Sequence, residues 1–129
     1  MATKKEFNNL ERAILQWFEA HYKDEHLTAQ INAAKLKNRR WTKVGFYVDL
    51  DIPSDVATVD VGSLKHREPL RNDKSVRKGW PIGGPEIKSK NVEDGGGSLL
   101  WGKAGRITTI EMYSYGHSFA ENVTEFELK

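Results

Sequence analysis

The first apolar pattern along the chain predicts an amphipathic helix over residues 3–22. Thr3 and Glu6 have the spacing of a capping box, in which a hydroxyl and a carboxylate each bond a free amide where a helix begins. Five apolar residues then recur at intervals of three and four: Phe7, Leu10, Ile14, Trp17 and Phe18. Four polar residues fall largely on the opposite face: Glu11, Arg12, Gln16 and Glu19. Such a helix needs an apolar surface on which to pack.

After the helix, alternating apolar residues predict a strand that begins at Leu27. Four residues share one face of it: Leu27, Ala29, Ile31 and Ala33. The phase of the alternation slips at Ala34 and Leu36, which indicates either a bulge or the end of the strand. Residues 37–40, Lys-Asn-Arg-Arg, then predict a turn.

The most regular alternation lies in residues 43–52. The apolar positions are Val44, Phe46, Val48, Leu50 and Ile52. The residues between them, which include Tyr47, Asp49 and Asp51, are expected to face outward. Pro53 and Ser54 end this strand, and residues 56–61 predict a further short strand or the start of one.

Residues 62–97 contain few periodic apolar positions and many glycines and prolines, which predicts a long loop. A short helix near residues 73–78 and a strand near residues 86–90 are expected within it. The C-terminal third predicts a meander. Its strands span residues 98–103 and 106–115 around a tight Ala104-Gly105 connection, and a turn at 116–122 leads to a last strand at 123–128.

This order of elements predicts an α+β fold. One N-terminal helix packs on a curved sheet of five or six mainly antiparallel strands. The nearest architectures are the cystatin-like and nuclear-transport-factor-like rolls, by analogy.

Length and composition exclude several kinds of protein and of functional site. A length of 129 residues fits one domain spanning 1–129. The chain has no cysteine, which excludes disulfides, thiolate metal sites and cysteine nucleophiles. Its apolar runs are too short to cross a bilayer, so no membrane partner is expected. The N-terminus lacks the apolar core of a signal peptide, so a cytoplasmic location is expected.

Charge is distributed unevenly, although the net charge is only +2. Residues 45–61 hold four aspartates and no basic residue, and residues 107–129 are also acidic. Residues 62–84 hold six basic residues against two acidic ones, with Trp80 as the one aromatic among them. This asymmetry either steers a charged partner or reflects solvated strand faces and loops. Trp80 among these basic residues is a weak signal for RNA binding, which stays open as an alternative. The segment matches no recognised RNA-binding module, so direct nucleic-acid binding is not expected. The oligomeric state is left open.

Four residues near the C-terminus define a candidate pocket: Glu111, Tyr113, Tyr115 and His117. If the first three share a face, they and His117 line the pocket of a small roll-type enzyme or ligand-binding protein, with Glu111 as a base of raised pKa. The alternative is that Glu111 points outward, because Ile110 and Met112 are the apolar alternates. The tyrosines equally suit anchors for another protein.

No cofactor or metal is predicted. His21 and His26 fit the carbonyl end of the predicted helix, and their spacing with Asp24 and Glu25 matches no standard metal site. The glycines at 95–97 precede a strand rather than a helix, so they lack the helix N-terminus that cradles phosphates.

Several C-terminal segments resemble a group of small cytoplasmic bacterial proteins. These segments are Trp80-Pro-Ile-Gly-Gly-Pro-Glu-Ile-Lys-Ser89, Gly96-Gly-Ser-Leu-Leu-Trp101, Gly105-Arg-Ile107, Ile110-Glu-Met-Tyr-Ser-Tyr-Gly116 and Phe126-Glu-Leu128. The group includes immunity proteins of contact-dependent growth-inhibition and polymorphic toxin systems. The resemblance covers mainly residues 80–128 and rests on turn glycines and strand aromatics. It assigns no catalytic or binding residue.

The resemblance implies a protein that is not an enzyme and that neutralises a cognate toxin domain by stoichiometric binding. Many such toxins are nucleases with basic clefts, which an acidic surface would shield. The first candidates for that surface are Asp49, Asp51, Asp55 and Asp60. Glu121 and Glu125 come second, and Tyr47 is a candidate aromatic anchor.

Overall fold

A computed structural model describes residues 6–68 and 80–129. Two helices, α1 (Asn9–Tyr22) and α2 (Glu25–Ala33), precede the strands β1 (Lys35–Trp41) and β2 (Gly45–Asp51). A short helix, α3 (Val61–Lys65), follows. The remaining strands are β3 (Ile82–Gly83), β4 (Ile87–Lys88), β5 (Gly96–Lys103), β6 (Arg106–Ser114) and β7 (Glu127–Leu128).

The strands form one antiparallel sheet in the order β1-β2-β6-β5-β4-β7, and β3 pairs with β5 as a seventh strand. The predicted α+β class and its mainly antiparallel sheet are therefore confirmed. The expected count of five or six strands is exceeded because three two-residue strands pair at the β5 side of the sheet. The analogy with cystatin-like and nuclear-transport-factor-like rolls stays a prediction.

The start of α1 differs from the prediction. The helix begins at Asn9, and Glu6–Asn8 are not helical. The capping box is formed by Asn8 and Glu11, which have the spacing predicted for Thr3 and Glu6; Thr3 lies outside the described residues. Leu10, Ile14 and Phe18 are buried as predicted, but Glu11, expected on the polar face, is fully buried.

The strand predicted from Leu27 is wrong, because residues 25–33 form α2. Asp24 caps this helix by accepting hydrogen bonds from the amides of His26 and Leu27. The residues it buries are Leu27, Gln30 and Ile31, which have helical spacing. Because Gln30 is polar, the buried positions of α2 do not show the helical spacing of apolar residues in the sequence.

The turn predicted at residues 37–40 is also wrong, because these residues lie inside β1. An edge strand pairs on one side only and often carries charged residues. Arg39 faces the helices, where its guanidinium binds the buried Glu11 carboxylate at 2.6 and 2.7 Å. Because the inward-facing residue at this point is the charged Arg39, the sequence lacks the apolar alternation that predicts a strand.

The strand predicted at residues 43–52 is confirmed as β2. Phe46, Val48 and Leu50 are buried, whereas Val44 lies before the strand and is 47% exposed. Residues 56–61 do not form the predicted strand. Residues 56–60 lead into α3, whose N-cap is Asp60 and whose first residue is Val61.

Further along the chain, the predicted strand near residues 86–90 is confirmed as β4. The helix predicted near residues 73–78 lies outside the described residues. The meander is confirmed as β5 and β6, with Ala104 and Gly105 both at positive φ in the turn. The last strand is shorter than predicted and spans only Glu127–Leu128.

The core lies between the helices and one face of the sheet. Residues from α1 and α2 meet Phe46, Val48 and Leu50 of β2, Leu100 of β5, and Ile110 and Met112 of β6. Because successive strand residues point to opposite faces, the alternate residues of β2, β5 and β6 lie on the other face.

Candidate interaction surface

The sheet face opposite the helices presents a mixture of aromatic and charged side chains. We call it the outer face. It consists of Arg40 on β1; Tyr47, Asp49 and Asp51 on β2; Leu99 and Trp101 on β5; and Thr109, Glu111 and Tyr113 on β6. Trp101 is 36% exposed, and its ring is part of the solvent-facing surface of the sheet.

On the β1–β2 side of the outer face, a cation is paired within the chain. Arg40 lies opposite Tyr47 in the register, and its guanidinium carbon is 5.0 Å from the centroid of the Tyr47 ring. The same guanidinium is 3.7 Å from the Asp49 carboxylate, which also accepts a hydrogen bond of 3.1 Å from the Thr109 hydroxyl. Asp49 is therefore partly neutralised by its own neighbours.

At the centre of the outer face, Glu111 has one close and one more distant hydrogen-bond donor, both neutral. The Trp101 indole N–H donates to its Oε1 at 2.9 Å, and the Tyr47 hydroxyl lies 3.5 Å from its Oε2. Tyr47 is the direct partner of Glu111 on β2, while Trp101 reaches it diagonally from β5. These contacts fix the position of the carboxylate and leave its charge unpaired within the described residues.

Beyond Glu111, two tyrosines extend the outer face. The Tyr113 ring lies across Gly97, where a Cβ atom would come within 2.5 Å of the tyrosine hydroxyl. The Tyr115 ring contacts Tyr113 edge-on at 5.9 Å, and its hydroxyl donates to Glu86 at 3.0 Å. Tyr115 is 50% exposed. The aromatic rings on this side are thus held in defined positions by contacts within the chain.

The structure places the predicted partner-binding residues in three separate groups. Tyr47, Asp49 and Asp51 lie on the outer face, as their alternation predicted. Asp55 is exposed in the loop after β2, and Asp60 caps α3 by accepting from the Gly62 amide at 3.1 Å.

The third group lies away from the central strands. Glu121 and Glu125 are exposed in the segment between β6 and β7, and Glu125 is 3.5 Å from the Lys90 ammonium. The predicted acidic residues are therefore not one continuous patch.

Basic side chains from other strands contact the acidic segment 45–61. Besides Arg40, Arg106 of β6 donates to the carbonyls of Val56 at 2.6 Å and Ser54 at 2.7 Å. The local charge of the sequence overstated the negative potential of this region, because the sheet places cations from β1 and β6 beside it.

The candidate pocket of Glu111, Tyr113, Tyr115 and His117 is not assembled. His117 lies in the turn after β6, where its amide donates to the Glu93 carboxylate. It lines a cavity of about 650 Å³ together with Trp41, Phe119 and polar residues, and Glu111 does not line that cavity. The outward alternative for Glu111 is the one observed, since Ile110 and Met112 occupy the core.

His21 and His26 have structural contacts. His21 stacks on Trp17 with ring centroids 4.4 Å apart, and its Nε2 lies 2.5 Å from the Arg67 carbonyl. His26 donates its backbone amide to the α2 cap. Across residues 6–68 and 80–129, no group of three or more His, Asp or Glu residues is placed to hold a metal ion.

Part of the basic segment 62–84 is engaged inside the fold. The Lys65 ammonium is buried, donates to the Pro81 carbonyl and lies 3.4 Å from Glu68. Arg67 donates to the Tyr22 carbonyl at 2.7 Å. The segment's other four basic residues, Arg71, Lys74, Arg77 and Lys78, lie outside the described residues.

Sequence reasoning missed Trp101, Arg40 and Gly97 as parts of the outer face. The alternation in β5 could have predicted that Trp101 faces outward, because its neighbour Leu100 is buried. The contact of Trp101 with Glu111 depends on the strand register, which includes an irregularity between Trp101 and Gly102. The sequence does not reveal that register.

No protein-family model, curated protein or solved structure matches the chain. None of the described helices is long and apolar enough to cross a membrane.

Proposed function

We propose that this protein is a cytoplasmic immunity protein that binds a bacterial toxin domain through the outer face. The observation that carries the proposal is the pre-positioned set of aromatic and acidic side chains there, centred on Glu111 and Trp101. Aromatic rings that bring a large contact area at low entropic cost are typical anchors of protein interfaces. Neutralisation by such a surface is stoichiometric.

The resemblance to immunity proteins supports the proposed function but assigns no binding residue. The segments that carry the resemblance include Trp101, Glu111, Tyr113 and Tyr115, which form the aromatic side of the outer face. Tyr47, Asp49 and Asp51 add the neighbouring acidic strand. A toxin with a basic, phosphate-binding cleft is the complementary partner, because its cations would meet the carboxylates of Glu111 and Asp51.

The proposal predicts that a toxin domain is encoded directly upstream of the gene, and co-expression with that domain tests it. The protein is expected to restore growth of cells that produce this toxin domain, and to co-purify with it at a fixed ratio. Growth arrest that the protein does not relieve, together with no co-purification, would refute the proposal.

A further inference from the structure

The outer face contains two neighbouring arrangements of a carboxylate and an aromatic ring. In the first, the Arg40 guanidinium lies over Tyr47 and beside Asp49. In the second, the Glu111 carboxylate is bonded to the Trp101 indole at 2.9 Å. No cation from the described part of the chain pairs with Glu111. The first arrangement shows that this sheet surface can hold a guanidinium between a ring and a carboxylate.

The Glu111 carboxylate retains the capacity to accept further hydrogen bonds. A carboxylate offers about four acceptor positions, and the Trp101 and Tyr47 groups approach one on each oxygen. Both of these donors are neutral, so they orient the carboxylate without compensating its charge. A forked, cationic donor suits the remaining positions, because it can bond both oxygens at once.

Trp101 supplies the second element of recognition. Tryptophan gives the strongest cation–π attraction among the aromatic side chains, and a planar guanidinium also stacks on its ring. The indole is held beside Glu111 by its own N–H, so little side-chain entropy is lost when a cation binds. The Tyr47 ring is already in contact with Arg40, which leaves Trp101 as the ring for an incoming group.

We propose that Glu111 and Trp101 form a receptor for an arginine side chain of a protein partner. This inference rests on the proposed function for the identity of the partner, a toxin domain. Arginine is favoured over lysine because only the guanidinium can bond both carboxylate oxygens and stack on the indole. Glu111 is thereby the specificity-determining residue of the outer face.

An NMR titration of the full chain with N-acetyl-arginine amide tests the local chemistry without any toxin. The indole N–H resonance of Trp101 is expected to shift saturably, and to shift less with N-acetyl-lysine amide. Trp41 is an internal control, since its indole is 41% exposed and donates to the Phe119 carbonyl instead of a carboxylate. The matched variant Glu111→Gln keeps the shape of the side chain and should abolish the saturable shift. Equal shifts at Trp41 and Trp101, or an unchanged titration in Glu111→Gln, would overturn the inference.

A binding measurement with the co-encoded toxin domain separates this inference from the proposed function. If the wild-type protein binds and Glu111→Gln binds about 30-fold or more weakly, the inference is supported. If both bind equally, the arginine receptor is refuted while the immunity function stands. If the wild-type protein does not bind, the immunity function fails, and the arginine titration alone decides whether Glu111 receives a guanidinium.

Discussion

The ring of Tyr113 lies directly over Gly97, its cross-strand partner on β5. A Cβ atom at residue 97 would stand 2.5 Å from the tyrosine hydroxyl oxygen and 2.7 Å from Cζ. The missing side chain therefore makes room for the ring to lie flat on the sheet. This contact holds Tyr113 against the neighbouring strand on the outer face.

Replacing Gly97 with alanine is expected to displace the Tyr113 ring and to lower the free energy of unfolding by at most about 1 kcal/mol, because the half-exposed ring can swing away from β5. Urea denaturation measures the loss. In a Tyr113→Ala background the same Gly97→Ala change should cost much less, because the colliding ring is gone. An equal cost in both backgrounds would show that Tyr113 does not occupy the space above Gly97.

The buried Glu11 carboxylate links α1 to β1 through Arg39. Glu11 is fully buried, and it accepts from the Asn8 amide as well as from the Arg39 guanidinium. Replacing Arg39 with methionine leaves this carboxylate without its cation and should destabilise the protein by about 3 kcal/mol. Thermal or urea unfolding measures it. The double variant Glu11→Leu/Arg39→Met should recover most of the loss, because it removes the buried carboxylate as well. If the double variant is no more stable than Arg39→Met, the loss does not come from an unpaired Glu11 carboxylate.

The pH dependence of this pair follows from the charge of Arg39. Its hydrogen bond to Glu11, opposed by burial and aided by charge attraction, raises the pKa of Arg39 above its ordinary value. A raised pKa stabilises the fold at any pH below the unfolded-state pKa, and that stabilisation is lost only as pH rises through the folded-state value. The stability difference between wild type and Arg39→Met should thus stay constant between about pH 7 and about pH 10. A difference that shrinks across this range would contradict the assignment.

Gln30 ties α2 to two other parts of the fold. Its side-chain amide donates to the carbonyls of Ala57 and Gly105, each at 2.9 Å, and its Oε1 accepts from the Ile107 amide at 2.9 Å. Gln30→Leu should cost about 1–3 kcal/mol, because it leaves the buried Ile107 amide without its acceptor. It also removes the donor to the Ala57 and Gly105 carbonyls, although Gly105 still accepts from the Val59 amide. Gln16→Leu on the exposed face of α1 is the matched control and should change stability by less than about 0.5 kcal/mol. Equal effects of the two changes on urea unfolding would contradict the role given to Gln30.

The inward-facing polar residues Gln30 and Arg39 explain why some elements of the fold were predicted correctly from the sequence and others were not. The pattern of β2 is clean because Phe46, Val48 and Leu50 are all apolar, and its prediction is confirmed. The elements that carry Gln30 and Arg39 are α2 and β1, and both were predicted wrongly. A polar group that is satisfied inside the protein looks, in the sequence, like a surface position or a turn.

The candidate site was predictable in part for a different reason. Period-two alternation placed Tyr47, Asp49 and Asp51 outward and offered an outward Glu111. The pairing of Glu111 with Trp101, and of Arg40 with Tyr47, depends on which residues lie opposite each other across strands. Register follows from turn geometry and from bulges such as the one beside Trp101, and these are tertiary properties.

The most direct test of the proposed interface compares two exposed tryptophans in binding to the toxin domain that the proposed function predicts. Trp101 belongs to the outer face, whereas Trp41 does not, and they are 36% and 41% exposed. Calorimetry with folded variants should show that Trp101→Ala raises the Kd by about 30-fold or more, the effect of a central interface residue, and that Trp41→Ala changes it little. Tight binding by Trp101→Ala combined with a large loss in Trp41→Ala would contradict the outer face as the binding surface.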